Sequence, residues 1–514
     1  MRQRITQLEV PLDHTDADVA EALARKLGCE ASALTDVRVV RRSLDARARR
    51  REPVFILTVE IGEAEAEEST GRTIAFSGRR RPVVVGAGPA GLMAALTLAE
   101  ARAKPLIIER GAPARERAVQ VTRFWTDGTL DVESNVLFGE GGAGLFSDGK
   151  LTARSKDRER VRKFLETLVA CGAPRDILID AEPHLGSDVL AHLVPALRER
   201  ITSLGGEVRF HARLDNLIIE DGALRAVAVN GETVETDACV LATGHSARDV
   251  YRMLTEAGVR LEAKPFAVGL RLELPQAAVD RAQYGKHAGH PRLGAASFRL
   301  TRKPERDARA CYTFCMCPGG SVIACASSAG ELTTNGMSLS RRSGAFANAA
   351  FLVPVHPDDA ADGIAFQSTI ERAAFEAGGG DYALPAQPLT DFLEARTPTG
   401  LPETRSCPNA LPVDLRTILP EFVTRTLTQA IPKMLKVMKG VNLDDALLYA
   451  AETRSSSPVR VVRDGTGQSP SAAGLFPAGE GAGYAGGIVS SAVDGLRAAD
   501  ALIQRQPHSQ EERT

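Results

Sequence analysis

Apolar residues at the start of the chain fall at strand and helix spacings in turn. Ile5, Leu8 and Val10 mark a strand, and Val19, Leu23 and Leu27, four apart, mark one face of a helix that Gly28 ends. Two more strands are expected around Val37 to Val40 and Val54 to Val59, joined by the arginine-rich SLDARARRRE. The order strand, helix, strand, strand predicts a small α+β unit. Its basic loop (Arg41, Arg42, Arg47, Arg49, Arg50, Arg51) offers an anionic ligand or partner a surface, although a run of charge is more often a solvated face. Acidic GEAEAEEST and basic SGRRR then bracket a linker from Gly62 to Arg81.

From Pro82 the pattern changes to buried strands alternating with helices. Val83, Val84 and Val85 are a parallel-strand run, Gly86-x-Gly88-x-x-Gly91 is the turn, and Leu92, Ala95, Leu96 and Ala99 give the apolar face of the next helix. Near residue 255 short strands and Gly/Pro-rich turns take over. Helical periodicity returns over roughly residues 415 to 450, a Gly-rich segment leads into a last helix, and the polar QRQPHSQEERT forms a tail. The expected units are residues 1–80, 81–255, 256–454, 455–505 and 506–514.

Each glycine of the turn has a physical task. Gly86 permits the tight bend, Gly88 lets main-chain N–H groups approach a pyrophosphate, and Gly91 lets helix and strand pack closely. Pro89 and Ala90 open the helix whose N-terminus receives the phosphates. The next strand, Leu106 to Ile108, ends at Glu109, placed to accept hydrogen bonds from ribose hydroxyls, with Arg110 beside it.

Composition narrows the partners. The 514 residues, 44% hydrophobic and 25% charged, suit two or three globular domains. The formal net charge of -2 gives no whole-molecule preference for nucleic acid or an anionic membrane, so small molecules or proteins are the expected partners, a small-molecule substrate first, and nucleic acid is not. The N-terminus carries charge where a signal peptide needs an apolar stretch, and no run reaches the roughly 18 apolar residues of a membrane span. A cytoplasmic protein is expected; its oligomeric state is not legible.

Three further segments carry a resemblance. TDACVLATGHSARD holds Val240 and Leu241 followed by Ala242, Thr243 and Gly244, and resembles the ATG motif of flavoproteins of the glutathione reductase type; the residues before it read as a strand meander. GLFPAGEGAGYAGGIVSSAVDGL resembles the segment in which such proteins end a strand in Gly-Asp, bond the ribityl chain with the acid and aim a helix N-terminus at the flavin pyrimidine. Here Gly479 and Glu480 hold those places, Glu replacing the commoner Asp, and Gly486, Gly487 and Ile488 open the helix. FGEGGAGLFSDGKL crowds Gly139, Gly141, Gly142, Gly144 and Gly149 around Ser147, Asp148 and Lys150, a density that costs chain entropy unless backbone must approach something closely; the isoalloxazine ring is the expected partner.

With CYTFCMCPGGSVIACASS, NGMS, ANAAF and ETRSSSPVR, these segments make the chain similar to uncharacterised bacterial FAD-dependent dehydrogenases with a small N-terminal domain. The resemblance implies an α/β fold: an FAD-binding Rossmann-like domain of the glutathione reductase type, an inserted mixed β-sheet substrate domain and a small N-terminal α+β domain. It implies FAD as cofactor, held by the residues named at the turn, at Glu109 and Arg110, at Gly142, Gly144, Ser147 and Asp148, at Thr243 and Gly244, and at Gly479, Glu480, Gly486, Gly487 and Ile488. NAD(P)H is a possible transient co-substrate, since only one dinucleotide fingerprint is present.

The cysteines of RACYTFCMCPGGSVIACASS admit three readings: metal site, redox pair or strand. As a strand, Cys311, Thr313, Cys315 and Cys317 face one way and Tyr312, Phe314 and Met316 the other. Residues four apart on a strand lie roughly 13 Å apart, too far for ligands of one metal with bonds of about 2.3 Å, so a mononuclear site would require the segment to be a loop, and no metal is expected. Pro318, Gly319 and Gly320 predict a hairpin returning through Ser321 to Ala326, which in resembling proteins walls the cavity over the flavin. Cys315, Cys317 and Lys150 are the candidate catalytic groups, with small packing residues the plain alternative for the thiols, and Arg454 and Tyr484 are further neighbours of flavin or substrate. The expected activity is hydride or electron transfer between flavin and a small organic substrate. A flavin monooxygenase and a flavin-binding RNA-modifying or scaffold protein are the alternatives.

Overall fold

A computed structural model of the chain describes residues 3–47, 52–62, 75–152, 155–304 and 309–505. Arg49, Arg50, Arg51, most of the expected linker and the tail lie outside the described residues.

The N-terminal unit has the expected order. Strands Gln3–Pro11, Arg38–Asp45 and Val54–Ile61 form an antiparallel sheet with the last in the middle, covered by helix Asp16–Leu27. Thr15 and Asp18 cap that helix reciprocally, and Gly28 ends it at φ 70°. Arg42 is not in the loop: it lies half-buried in the second strand and bonds Asp180 (2.8 Å) and Asp176 (3.0 Å), docking the unit on the next domain. Leu293 of the substrate domain completes this unit's core.

A five-stranded parallel sheet follows, in the order Leu475–Pro477, Cys239–Leu241, Val83–Val85, Leu106–Ile108, Glu207–Arg209. Helix Pro89–Glu100 is buried on all sides from Ala90 to Ala99, not only on the expected face, because the sheet lies on one side and helix Ile488–Gln504 on the other. The expected meander is an antiparallel trio, Leu214–Glu220, Ala223–Val229 and Glu232–Glu235.

The substrate domain centres on a seven-stranded sheet whose long strands Phe266–Pro275 and Phe346–Val355 run antiparallel through its core. The helical stretch expected over 415 to 450 is a helix only over Glu421–Leu435; Leu447–Glu452 is a strand paired with Phe266–Pro275. The expected hairpin does not form. Cys311–Cys317 pairs with Phe346–Val355, whereas Ser321–Cys325 pairs with Thr333–Met337 in a separate ribbon. No helix among the described residues is long and apolar enough to cross a membrane.

Candidate active site

One cavity runs between the parallel sheet and the substrate domain. Its first wall is the fingerprint turn, where the three glycines differ in what they require. Gly86 has φ 99°, and a Cβ there would lie 2.4 Å from the Ala242 carbonyl oxygen. A Cβ on Gly91 would lie 1.8 Å from the Gly86 oxygen, so Gly91 serves packing and does not line the cavity. Gly88 has neither reason: its φ of -79° suits any residue, and only the Gly142 Cα, at 3.8 Å, comes near an added Cβ. The protein needs no glycine there, yet the position faces the cavity beside a helix N-terminus without a side-chain cap. That open cradle at main-chain N–H groups is what a pyrophosphate requires.

Glu109 stands in the wall at the tip of its strand, buried, but its carboxylate already accepts from main-chain N–H groups of Ala87 (2.7 Å), Gly111 (3.0 Å) and Gly139 (3.1 Å). It fixes the turn and the glycine segment to one another. Arg110 lies over the Phe138 ring at 4.4 Å and is held by Glu133 (2.7 Å) and both oxygens of Asp249 (3.0 Å each).

The glycine segment forms the second wall. Gly142, Gly144, Ser147, Asp148 and Lys150 line the cavity, anchored from behind by buried Leu145 and Leu151. Burial alone would raise the Asp148 carboxyl, but Lys150 (2.8 Å) and Arg342 (3.0 Å) hold it below the ordinary carboxylate range. Lys150 also donates to the Met316 carbonyl, tying this wall to the cysteine strand.

Thr243 and Gly244 line the cavity, as do Gly479, Glu480, Gly487 and Ile488 at the mouth of the C-terminal helix. Gly486 stands outside, its N–H donating to Ser490 (3.1 Å). Glu480 accepts from the Gly487 N–H and faces His245, Nε2 to Oε2 at 3.4 Å. Burial lowers the His245 pKa, opposed by Glu480 and aided by Arg454, Arg248 and Lys264. His245 is a cavity residue that the sequence reading passed over, although it stands inside the TGHS segment.

At the far end Cys315, Thr334, Asn335, Glu452 and Arg454 close the space. The expected alternation breaks at Cys315, which sits at φ 46° where the ladder slips between Phe314 and Cys317. The bulge turns Cys315 to the cavity and sends Cys317 into the interior, so the two thiols do not share a face. Burial raises the Cys315 thiol and pushes Cys317 up to about 12. Beneath them Arg271 pairs with Glu452 and donates to the Cys315 carbonyl (3.2 Å). Arg454 belongs to a buried cluster in which Glu371 receives Arg454 (2.7 Å) and Arg248 (2.9 Å). Tyr484 lies elsewhere, over the Arg463 guanidinium at 3.6 Å.

Residues 80–257 match the pyridine nucleotide-disulphide oxidoreductase family, residues 265–455 the C-terminal-domain-like family of FAD-dependent proteins, and residues 2–62 a domain of unknown function. An uncharacterized protein of Clostridium beijerinckii is 40% identical over 533 residues, which cover 98% of this chain and 99% of that protein. Protein FixC of Escherichia coli is 31% identical over 223 residues, covering 42% of this chain and 48% of FixC. Among solved structures, a triple mutant of the flavin-dependent brominase Bmp2 aligns with a TM-score of 0.38 at 11% identity, covering 82% of this chain and 80% of that one.

Proposed function

The chain belongs to the family of FAD-dependent oxidoreductases that includes the Clostridium beijerinckii relative, and on that premise we propose that it is a dehydrogenase or reductase of a small organic molecule. The observation that carries this reading is a continuous cavity joining the Gly88 cradle to Cys315, Thr334 and Glu452, so that a dinucleotide site and a substrate site would open into one space. FAD supplies hydride or electron-pair transfer there. The chain is left with position, charge and exclusion of water.

In this reading Gly86, Gly88, Pro89 and Ala90 cradle the phosphates, Glu109 and Arg110 the adenosine end, and Gly479, Glu480, Gly487 and Ile488 the ribityl and pyrimidine end. Gly142, Gly144, Ser147, Thr243 and Gly244 bound the middle, and Asp148 acts by aiming Lys150. An ammonium has three N–H groups. Two of those on Lys150 go to Asp148 and the Met316 carbonyl, which would leave the third for an oxygen of a bound substrate or flavin. The Cys315 thiol keeps its proton at neutral pH because burial raises its pKa, so it acts as a weak donor and not as a nucleophile.

The test is anaerobic mixing of the yellow protein with NADH, NADPH and a panel of small metabolites, read as bleaching of the flavin band. Bleaching by one of them supports the reading and names the donor. A flavin that none of them reduces, or an oxygen adduct formed during turnover, contradicts it.

A further inference from the structure

A buried guanidinium destabilises a fold unless its N–H groups find partners. Arg117, in helix Ala114–Asp127, is fully shut from water. It donates to five main-chain carbonyls: Nε to Asn135 (2.8 Å), Nη2 to Val136 (2.8 Å), and Nη1 to Glu140 (2.8 Å), Gly142 (2.9 Å) and Gly139 (3.3 Å). Burial lowers its pKa to about 10 against the pull of Glu109 and Glu140, so it stays charged at neutral pH. Gly139 is matched to it, since a Cβ there would lie 2.5 Å from the Arg117 Cδ.

The same segment is tied on its N–H side. Gly139 donates to Glu109 (3.1 Å), Glu140 to the Ala112 carbonyl (3.1 Å) and Gly141 to the Ala87 carbonyl (2.8 Å). With the Gly142 carbonyl turned to Arg117, the trans peptide turns the Ala143 N–H away from the guanidinium. Gly142, Ala143 and Gly144 line the cavity, and Gly142 stands against Gly88.

We propose that Arg117 is the positioning residue of the FAD site, a cation that never touches the cofactor and instead gathers the carbonyls of residues 135–142 so that the segment keeps the shape facing the Gly88 cradle. The inference rests on FAD occupying that cavity. Lysine keeps the charge but not the planar five-donor fork, so Arg117→Lys separates charge from geometry.

FAD affinity of the deflavinated protein is measured for wild type, Arg117→Lys and Ile431→Ala, a core truncation in the substrate domain. Arg117→Lys is expected to weaken FAD at least tenfold, with unchanged far-ultraviolet circular dichroism and faster amide exchange across 135–144. Ile431→Ala is expected to lower the melting temperature yet leave affinity within twofold, which a merely structural effect of Arg117 would not separate. Affinity within twofold for a folded Arg117→Lys overturns the proposal. Should that variant not fold, FAD must slow amide exchange at 139–144 in wild type, and no slowing overturns it as well. A wild type that binds no FAD sinks the cofactor reading itself, and this inference with it.

Discussion

Arg271 and Glu452 form a two-pronged ion pair across neighbouring strands, Nε to Oε2 at 2.8 Å and Nη2 to Oε1 at 3.0 Å, with both side chains buried and Glu452 at the cavity wall. Arg271 Nη1 reaches on to Asn348 Oδ1 (2.8 Å) and to the Cys315 carbonyl, so the pair underpins the bulge at the end of the cavity.

Breaking such a pair from one side leaves a buried charge without compensation. Arg271→Leu should therefore cost about 3–5 kcal/mol, and Glu452→Gln, which keeps a carbonyl oxygen for the guanidinium, should cost less. Urea unfolding of the two variants checks the order.

The Glu371 carboxyl gives a pH dependence with a defined sign. Burial works to raise it, but Arg454 and Arg248 bring it from 4.5 down to about 2. A depressed folded pKa contributes stability that is complete above the unfolded value and is lost as pH falls through the folded one. Unfolding midpoints should drop between about pH 4.5 and pH 2, and Glu371→Gln should flatten that part of the profile while lowering the stability above it.

Gly91→Ala should destabilise the fold by about 1–3 kcal/mol through overpacking, since its methyl would meet the Gly86 carbonyl at 1.8 Å. Thermal unfolding of the deflavinated protein reads this without reference to FAD.

The two cysteines should separate. Cys315→Ala and Cys317→Ala both retain flavin, but only Cys315→Ala changes turnover, because only Cys315 lines the cavity. Cys317 should resist iodoacetamide at pH 7.5, its thiol being pushed up to about 12.

What the sequence revealed is local. The fingerprint turn, the strand tip at Glu109 and the helix ending at Gly28 each follow from a few neighbouring residues whose backbone needs are fixed by residue type. The partner of a strand is not local. Pro318, Gly319 and Gly320 do mark a turn, but Gly319 at φ 51° packs where a Cβ would lie 1.8 Å from the Arg342 carbonyl oxygen, and the chain leaves for another sheet. Arg117 shares helix Ala114–Asp127 with Arg115 and Arg123, and nothing in their spacing marks which of the three is buried. The Arg248, Glu331, Glu371 and Arg454 cluster joins residues distant in sequence, so no spacing rule shows it.

Equilibrium titration of the deflavinated wild type and of Gly88→Val with FAD tests most directly whether the Gly88 cradle is the cofactor's phosphate site. Wild type is expected to take up one FAD per chain and turn yellow, while Gly88→Val stays folded and colourless because its side chain fills the cradle. A wild type indifferent to excess FAD, or a Gly88→Val protein that binds it as tightly, would contradict the account.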